Sequence, residues 1–483
     1  MIEGTKFVIK GTKFFHNLGA RIFFVRFLFA VPFLLFFSSC QTDMSCRKPN
    51  PNELKNIKSI LFKDGKLVVL SSPQDVLTWC SAFLSVFEYS EDSLRFLKNI
   101  ELSGKIAHDI VWIDKRLAVL ISSSDRQVID VVDPEIGEVV SSLSLDLQNM
   151  KSISSYGKSI LVLPQLDKRI FFAEDIDELI NNSKSGRYFV IEYLAKSGAI
   201  AEAGGKKYIF IIGEKNSMNA ISQDGITQDI NISEITNIAQ QQQEFISAVS
   251  SEVKPSQRLE QLGINVTFNS KMFFRDVFIF IHASSESGDM KGIFVYDVRC
   301  LNENIQNCSW FVPITSDKNS SLDNIFVFYP IRYGDNLKIF PVIYSITSDV
   351  NDEEKKRQYS FISLLLLNDG KFYFVDKKIV SISQIYELVE YEISEYKEER
   401  NSSVSEDEGE YNSGDKGEYN KVSSGKNEYS DKFSDSDGKT SREVRDTYEY
   451  EKGISLKIKF VFKENEYDNI RFFEYETNLL LNQ

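Results

Sequence analysis

The sequence predicts an all-β protein: a β-propeller of about seven blades built from four-stranded antiparallel units, interrupted by one long disordered acidic insertion. The first observation is a recurring unit, a turn pair with a basic residue followed by four or five β-formers. Asp64-Gly65-Lys66 precedes the apolar run 67–70, Asp114-Lys115-Arg116 precedes 117–121, and Gly157-Lys158 precedes 160–163. Gly204-Gly205-Lys206-Lys207 then precedes 208–212, and Arg275-Asp276 precedes 277–281. Gly334-Asp335 precedes a weaker run at 337–340, and Asp369-Gly370-Lys371 precedes 372–375. The second observation is spacing: steps of about 50, 42, 48, 69, 59 and 36 residues scatter around a period near 45, the size of a four-stranded blade. The third is how little of the chain reads as helix, with only 175–182 and 237–252 as candidates.

The chain opens with Lys6, Lys10, Lys13, Arg21 and Arg26 ahead of an unbroken apolar run at 27–37. A cationic stretch and an h-region of this length make a secretory signal, too short for a spanning helix of about 20 apolar residues. Phe37-Ser38-Ser39-Cys40 follows, and it resembles the lipobox of bacterial lipoproteins. Phe37 stands where that family usually has Leu, a variation spirochaete-type lipoproteins tolerate. The resemblance implies that residues 1–39 are a cleaved lipoprotein signal peptide and that the Cys40 thiol is acylated. It places the protein in the cell envelope, lipid-anchored to the outer membrane, on its periplasmic face or at the cell surface. More than one acyl chain would make such attachment stable. Residues 40–57 are polar, carry Pro49 and Pro51, and read as a tether.

Residues 58–389 are the propeller, and 106–145 is its clearest blade. One strand at 116–121 is followed by another at 127–132, a turn at Asp133-Pro134-Glu135-Ile136-Gly137, and a third strand at 138–143. The stretch 128–140 resembles the strand, Asp, turn, Gly, strand signature of YVTN-type and quinoprotein-like propellers, with a weaker echo at Gly292-Ile293-Phe294-Val295-Tyr296-Asp297. Anchor and repeats together are distantly like the propeller lipoprotein of the outer-membrane β-barrel assembly machinery.

Residues 390–450 change character, with 18 Asp or Glu against 9 Lys or Arg and short repeats such as Gly409-Glu410-Tyr411-Asn412 and Gly417-Glu418-Tyr419-Asn420. So polar a segment buries too little apolar surface to offset chain entropy, and disorder is expected. Strands resume in 451–483, where they are expected to close the propeller by completing the blade begun at the N-terminus.

Chemistry is sparse. The whole chain carries a net charge of −14 with no basic cluster after residue 50, which argues against nucleic acid as a partner. Of three histidines, His16 lies in the signal and His108 and His282 sit in strand-like sequence, poor material for a zinc site or a Ser-His-Asp triad. Gly157-Lys158-Ser159 lacks the first glycine of a phosphate loop, and Asp435-Ser436-Asp437-Gly438 lacks the outer ligands of a calcium loop. No catalytic, metal or cofactor residues are assigned. Cys300 and Cys308 flank a seven-residue polar loop and form a candidate disulfide in an exported protein. Trp112 and Trp310 read as core. The function expected is a membrane-anchored, non-catalytic scaffold that binds a protein partner in the envelope, in outer-membrane protein assembly. The alternatives are a surface lipoprotein binding host or environmental ligands, and a propeller hydrolase or dehydrogenase.

Overall fold

Seven β-sheets succeed one another along the chain and form a seven-bladed β-propeller. The computed structural model describes residues 54–72, 81–230, 237–241, 264–266, 271–348, 357–400, 449–464 and 469–480, less internal gaps of up to four residues. Blade 1 holds strands Ile57–Lys63, Lys66–Ser71, Phe83–Ser90 and Ser93–Glu101. Blade 2 holds Ile106–Ile113, Arg116–Ser122, Gln127–Asp133 and Glu138–Leu143. Blade 3 runs from Met150–Tyr156 through Ser159–Pro164 and Arg169–Ala173 to Arg187–Val190, and blade 4 from Ser197–Ala203 through Lys206–Ile212 and Met218–Ser222 to Thr227–Ile230. In each, strands pair antiparallel in sequence order.

The recurring sequence unit marks one place in this plan. At every occurrence but Asp369-Gly370, the turn pair closes the hairpin between the first strand of a blade and the second. Asp64 and Gly65 both take positive φ, +50° and +74°, so that Lys63 pairs with Lys66. Such a turn matches the twist of the flanking strands and suits Asp-Gly. The second strand is covered on both faces by neighbouring blades, so it reads as an unbroken apolar run: residues 67–70, 117–121 and 160–163 are all buried.

Apolar clusters fill the gaps between adjacent blades. Leu84 and Ile100 of blade 1 pack with Val119 and Val132 of blade 2, and Leu120 and Ile129 of blade 2 with Ile160 and Phe171 of blade 3. Phe210 of blade 4 packs with Ile281 and Phe294 of blade 5. The first strands face inward and line the central channel expected of this fold.

Blades 5 and 6 depart from the pattern. Blade 5 contains Met272–Arg275, Phe278–Ser285, Lys291–Asp297 and Ser309–Thr315, with Ile264–Val266 extending the inner edge. Blade 6 contains Leu337–Ser348, Arg357–Asn368 and Lys371–Val380, and its inner strand is broken into Ser320–Val327 and Ile331–Tyr333. Asn237–Ile238 and Gln240–Gln241, where helix was expected, instead pair in parallel with the outer strands of blades 5 and 6. The dipeptides cover sheet edges that would otherwise present unpaired backbone groups. The rest of that expected helix, 242–252, lies outside the described residues. The other expectation was met: Ile176–Asn181 is a helix (α1), capped by the Asp175 side chain, which accepts from the Asp177 N–H at 2.7 Å.

The repeat at Asp369-Gly370-Lys371 opens the fourth strand of blade 6 rather than a new blade, which explains its short step. Blade 7 has three strands, Gln384–Arg400, Glu449–Glu464 and Asn469–Leu480. The shared-blade closure expected from the sequence does not occur: blade 1 is a complete sheet in itself. Side chains meet instead, with Val389 and Val461 packed among Ile57, Leu67, Val69 and Phe87, and Phe472 against Tyr89 at 5.3 Å. The first strand of blade 7 also runs on to Arg400, so 390–400 is strand and not part of a disordered stretch. Residues 401–448 lie outside the described residues. The chain divides into two compact units, 1–389 with 460–473, and 390–459 with 474–483. In the second, Ile454, Leu456 and Ile458 are buried at alternate positions and Lys457 bridges Glu474 (2.8 Å) and Glu476 (3.3 Å).

Candidate functional site

A cavity of about 220 Å³ opens between blades 5 and 6, where hairpin turns of the two blades approach each other. Its apolar floor is Phe278, Trp310 and Leu367. The rim is polar: Asp297 and Arg299 from the end of the third strand of blade 5, Asp335, Asn336 and Lys338 from the inner hairpin of blade 6, and Asp369-Gly370 from its outer hairpin. Aromatic rings hold the floor in place, since Trp310 meets Phe278 at 6.0 Å and Phe372 at 5.1 Å, both near edge-to-face.

The cations of this rim are committed. Asp297 is 1% exposed and accepts from the Arg299 backbone N–H at 3.0 Å and its Nη2 at 2.6 Å, which raises the guanidinium above its ordinary range. Lys338 pairs with Asp276, which also takes Arg332 at 2.5 Å. The carboxylates of Asp335 and Asp369 are exposed and make no hydrogen bond or ion pair with the described residues. Two spare carboxylates above an aromatic floor suit a cationic group on an apolar stem, such as a lysine or arginine side chain.

Cys300 and Cys308 are bonded to each other in this structure, with Cα atoms 6.0 Å apart. The bridge closes the loop that begins at Arg299, and Asn302 docks that loop on blade 4. Asn302 donates to the Ala203 carbonyl at 2.8 Å and accepts from the Tyr208 hydroxyl at 2.7 Å. The arginine of the rim is therefore held from two sides.

Sequence reasoning found Asp335 and Asp369 only as turn residues, which they are; nothing local distinguishes a turn aspartate that faces a cavity. Trp310, read as core, is both core and cavity floor. Trp112 is half-buried, and its buried Nε1–H has no partner among the described residues. Cys40 and its acylation lie outside the described residues.

One arrangement bears on catalysis. His108 Nε2 lies 2.6 Å from the Ser122 hydroxyl, with Asp109 beside it in sequence. A triad needs the carboxylate on the second imidazole nitrogen. Asp109 instead accepts from the Ile110 and Ile153 backbone N–H groups at 3.0 and 3.1 Å. Burial lowers the His108 pKa and raises that of Asp109. The imidazole is not oriented as a base. Among the described residues no three His, Cys, Asp or Glu side chains group as metal ligands would.

No family model matches the chain, and no curated protein matches it. Similar solved structures include the hydrazine synthase of Kuenenia stuttgartiensis, with 10% identity over 58% of this chain and 70% of that one and a TM-score of 0.37. A putative 6-phosphogluconolactonase from Bacteroides uniformis shares 12% identity over 68% and 89%, with a TM-score of 0.36. The WD40 domain of SCAP from fission yeast shares 9% over 87% of each chain, with a TM-score of 0.35.

Proposed function

We propose that the chain is a membrane-anchored lipoprotein whose propeller is a non-catalytic scaffold for a protein partner in the cell envelope, in the setting of outer-membrane protein assembly. The cavity between blades 5 and 6 carries the reading: two uncommitted carboxylates over an aromatic floor accept a basic side chain projecting from a partner. A rim charge pair of this kind sets specificity and association rate more than affinity. The sequence supports the anchor through the signal and the two serines before Cys40.

The test is affinity purification of the full chain from detergent-solubilised membranes, beside Asp335→Asn/Asp369→Asn and Cys40→Ala variants. A partner recovered with the wild type and lost from the double variant supports the reading. The same partner recovered equally from both removes the cavity from it. Metabolic labelling with a fatty-acid analogue should mark the wild type and not Cys40→Ala; equal labelling of both removes the anchor. Protease treatment of intact cells separates an assembly factor, shielded beneath the outer membrane, from a surface receptor.

A further inference from the structure

The inner strands bring a second group of charges together, away from the cavity between blades 5 and 6. Arg275 ends the inner strand of blade 5, and Glu387 lies on the inner strand of blade 7. Both are surrounded by protein, yet water still reaches them in part, as expected of residues lining a channel. They attract one another, but no ion pair joins them among the described residues. The Glu387 carboxyl accepts from the Phe62 and Leu388 backbone N–H groups, and burial still pushes it up to about 8. Burial likewise lowers the Arg275 guanidinium.

Arg275 is fixed in place and only partly used. Its Nε donates to the Val327 carbonyl at 2.9 Å and its Nη1 to the Phe274 carbonyl at 3.0 Å. Tyr329 hydrogen-bonds to it and stacks on it, with Cζ 4.3 Å from the ring centre. Tyr329 reaches this position because it sits in the break of the blade 6 inner strand, and it is 66% exposed. A guanidinium carries five N–H groups in a rigid fork, so three contacts leave two donors. Tyr156 lies close enough to Tyr329 for their charges to interact, meets Phe274 edge-on at 5.5 Å and hydrogen-bonds to Glu202 of blade 4.

We propose that the propeller channel holds a separate binding site for a small aromatic monocarboxylate, gripped by the two remaining donors of Arg275 and walled by Tyr156 and Tyr329. A carboxylate matches two parallel guanidinium donors. The Glu202 carboxylate, hydrogen-bonded to Tyr156, disfavours a dianion such as phosphate. The proposal is independent of the partner-binding cavity.

Calorimetric titration of the full chain in detergent tests it, with phenylacetate, its uncharged amide and inorganic phosphate as probes. Phenylacetate should bind saturably and at least about tenfold more tightly than phenylacetamide or phosphate, as a charge-assisted bidentate contact requires. Arg275→Lys, which keeps the charge and loses the fork, should weaken phenylacetate by about tenfold or more. Tyr329→Ala, at an exposed position, should weaken it several-fold, whereas Glu138→Gln, exposed on the outer strand of blade 2, should leave it unchanged. Should Arg275→Lys fail to fold, Tyr329→Ala and the acid-to-amide comparison decide the matter. No binding of phenylacetate, equal binding of acid and amide, or an unaltered Tyr329→Ala variant overturns the site.

Discussion

Blade 2 and the pair formed by blades 5 and 6 fill the same kind of gap with different materials. Blade 2 is aliphatic, with Leu117, Val119, Leu120, Ile129 and Val131 buried in strands of six to eight residues. Its polar centre is closed: Asp130 is fully buried and accepts from the Ser103 N–H (2.7 Å), the Ser103 hydroxyl (2.7 Å) and the Ser142 hydroxyl (2.6 Å). Blades 5 and 6 are aromatic, with Phe278, Phe280, Trp310, Phe340 and Phe372 in one cluster. Their strands reach twelve residues, and one inner strand is broken. Branched aliphatic side chains of similar size tile two flat faces closely, whereas large flat rings meeting edge-on leave room beside them. The cavity and the displaced Tyr329 both lie in the aromatic sector. The regular blade closes its polar groups on itself; the irregular ones leave carboxylates and guanidinium donors open.

The comparison breaks first at Phe340, whose ring centre lies 5.1 Å from that of Phe280 and 6.2 Å from that of Phe278. If the aromatic sector is packed to the density of a normal core, Phe340→Ala should cost about 4 kcal/mol in denaturant unfolding. A cost under about 1 kcal/mol would mean that the cluster is loose and that its cavity is a packing defect.

Asp130→Ala is the matching test of blade 2. It strands three donors in a buried site, and the expected loss is about 3 kcal/mol. Asp130→Asn keeps an acceptor and should recover part of it. Equal stability of all three proteins would show that the polar centre of blade 2 is ornamental to its fold.

Glu387 supplies a pH test of the irregular sector. Its folded pKa, about 8, lies above its ordinary value because burial disfavours the charge. The folded state therefore keeps a proton that the unfolded state releases as pH rises past about 4.5, so stability falls across that window. Arg275 and the Phe62 and Leu388 N–H groups face this carboxyl and moderate the effect. Glu387→Gln should match the wild type near pH 4 and exceed it by about 4 kcal/mol near pH 8. The opposite trend, with the variant weaker at high pH, would show that an ionised Glu387 stabilises the channel.

The architecture was legible in the sequence because each blade repeats one hairpin. Asp64-Gly65 and Gly204-Gly205 adopt positive φ, and their residue types announce it. Blade 7 was harder to read, because its second strand begins at Glu449 with no turn pair before it and follows the acidic segment. Edge coverage by Asn237–Ile238 and Gln240–Gln241 had no sequence signature, since two residues carry no period. The sites were opaque for a different reason. Arg275 lies next to the turn residue Asp276, and Glu387 sits more than a hundred residues later; only ring closure puts both on one channel. A channel lining takes one or two residues from each blade, and no local pattern records which ones face inward together.

The smallest effect is expected from the segment richest in charge. Residues 401–448 join strand Gln384–Arg400 to strand Glu449–Glu464, which are neighbours in one sheet. Because the two strand ends are held by that pairing, the segment acts on stability mainly through the entropy of closing its loop. That cost grows by only about 0.6 kcal/mol for each doubling of length. Replacing 401–448 with a twelve-residue Gly/Ser linker should therefore raise stability by about 1 kcal/mol and leave phenylacetate binding in the channel unchanged. Thermal unfolding and calorimetry on the same preparation read both quantities. A loss of several kcal/mol would mean that the acidic segment packs on the sheet it interrupts. The contrast would then lie between blade 7 and the rest of the ring, and no longer between aliphatic and aromatic blades.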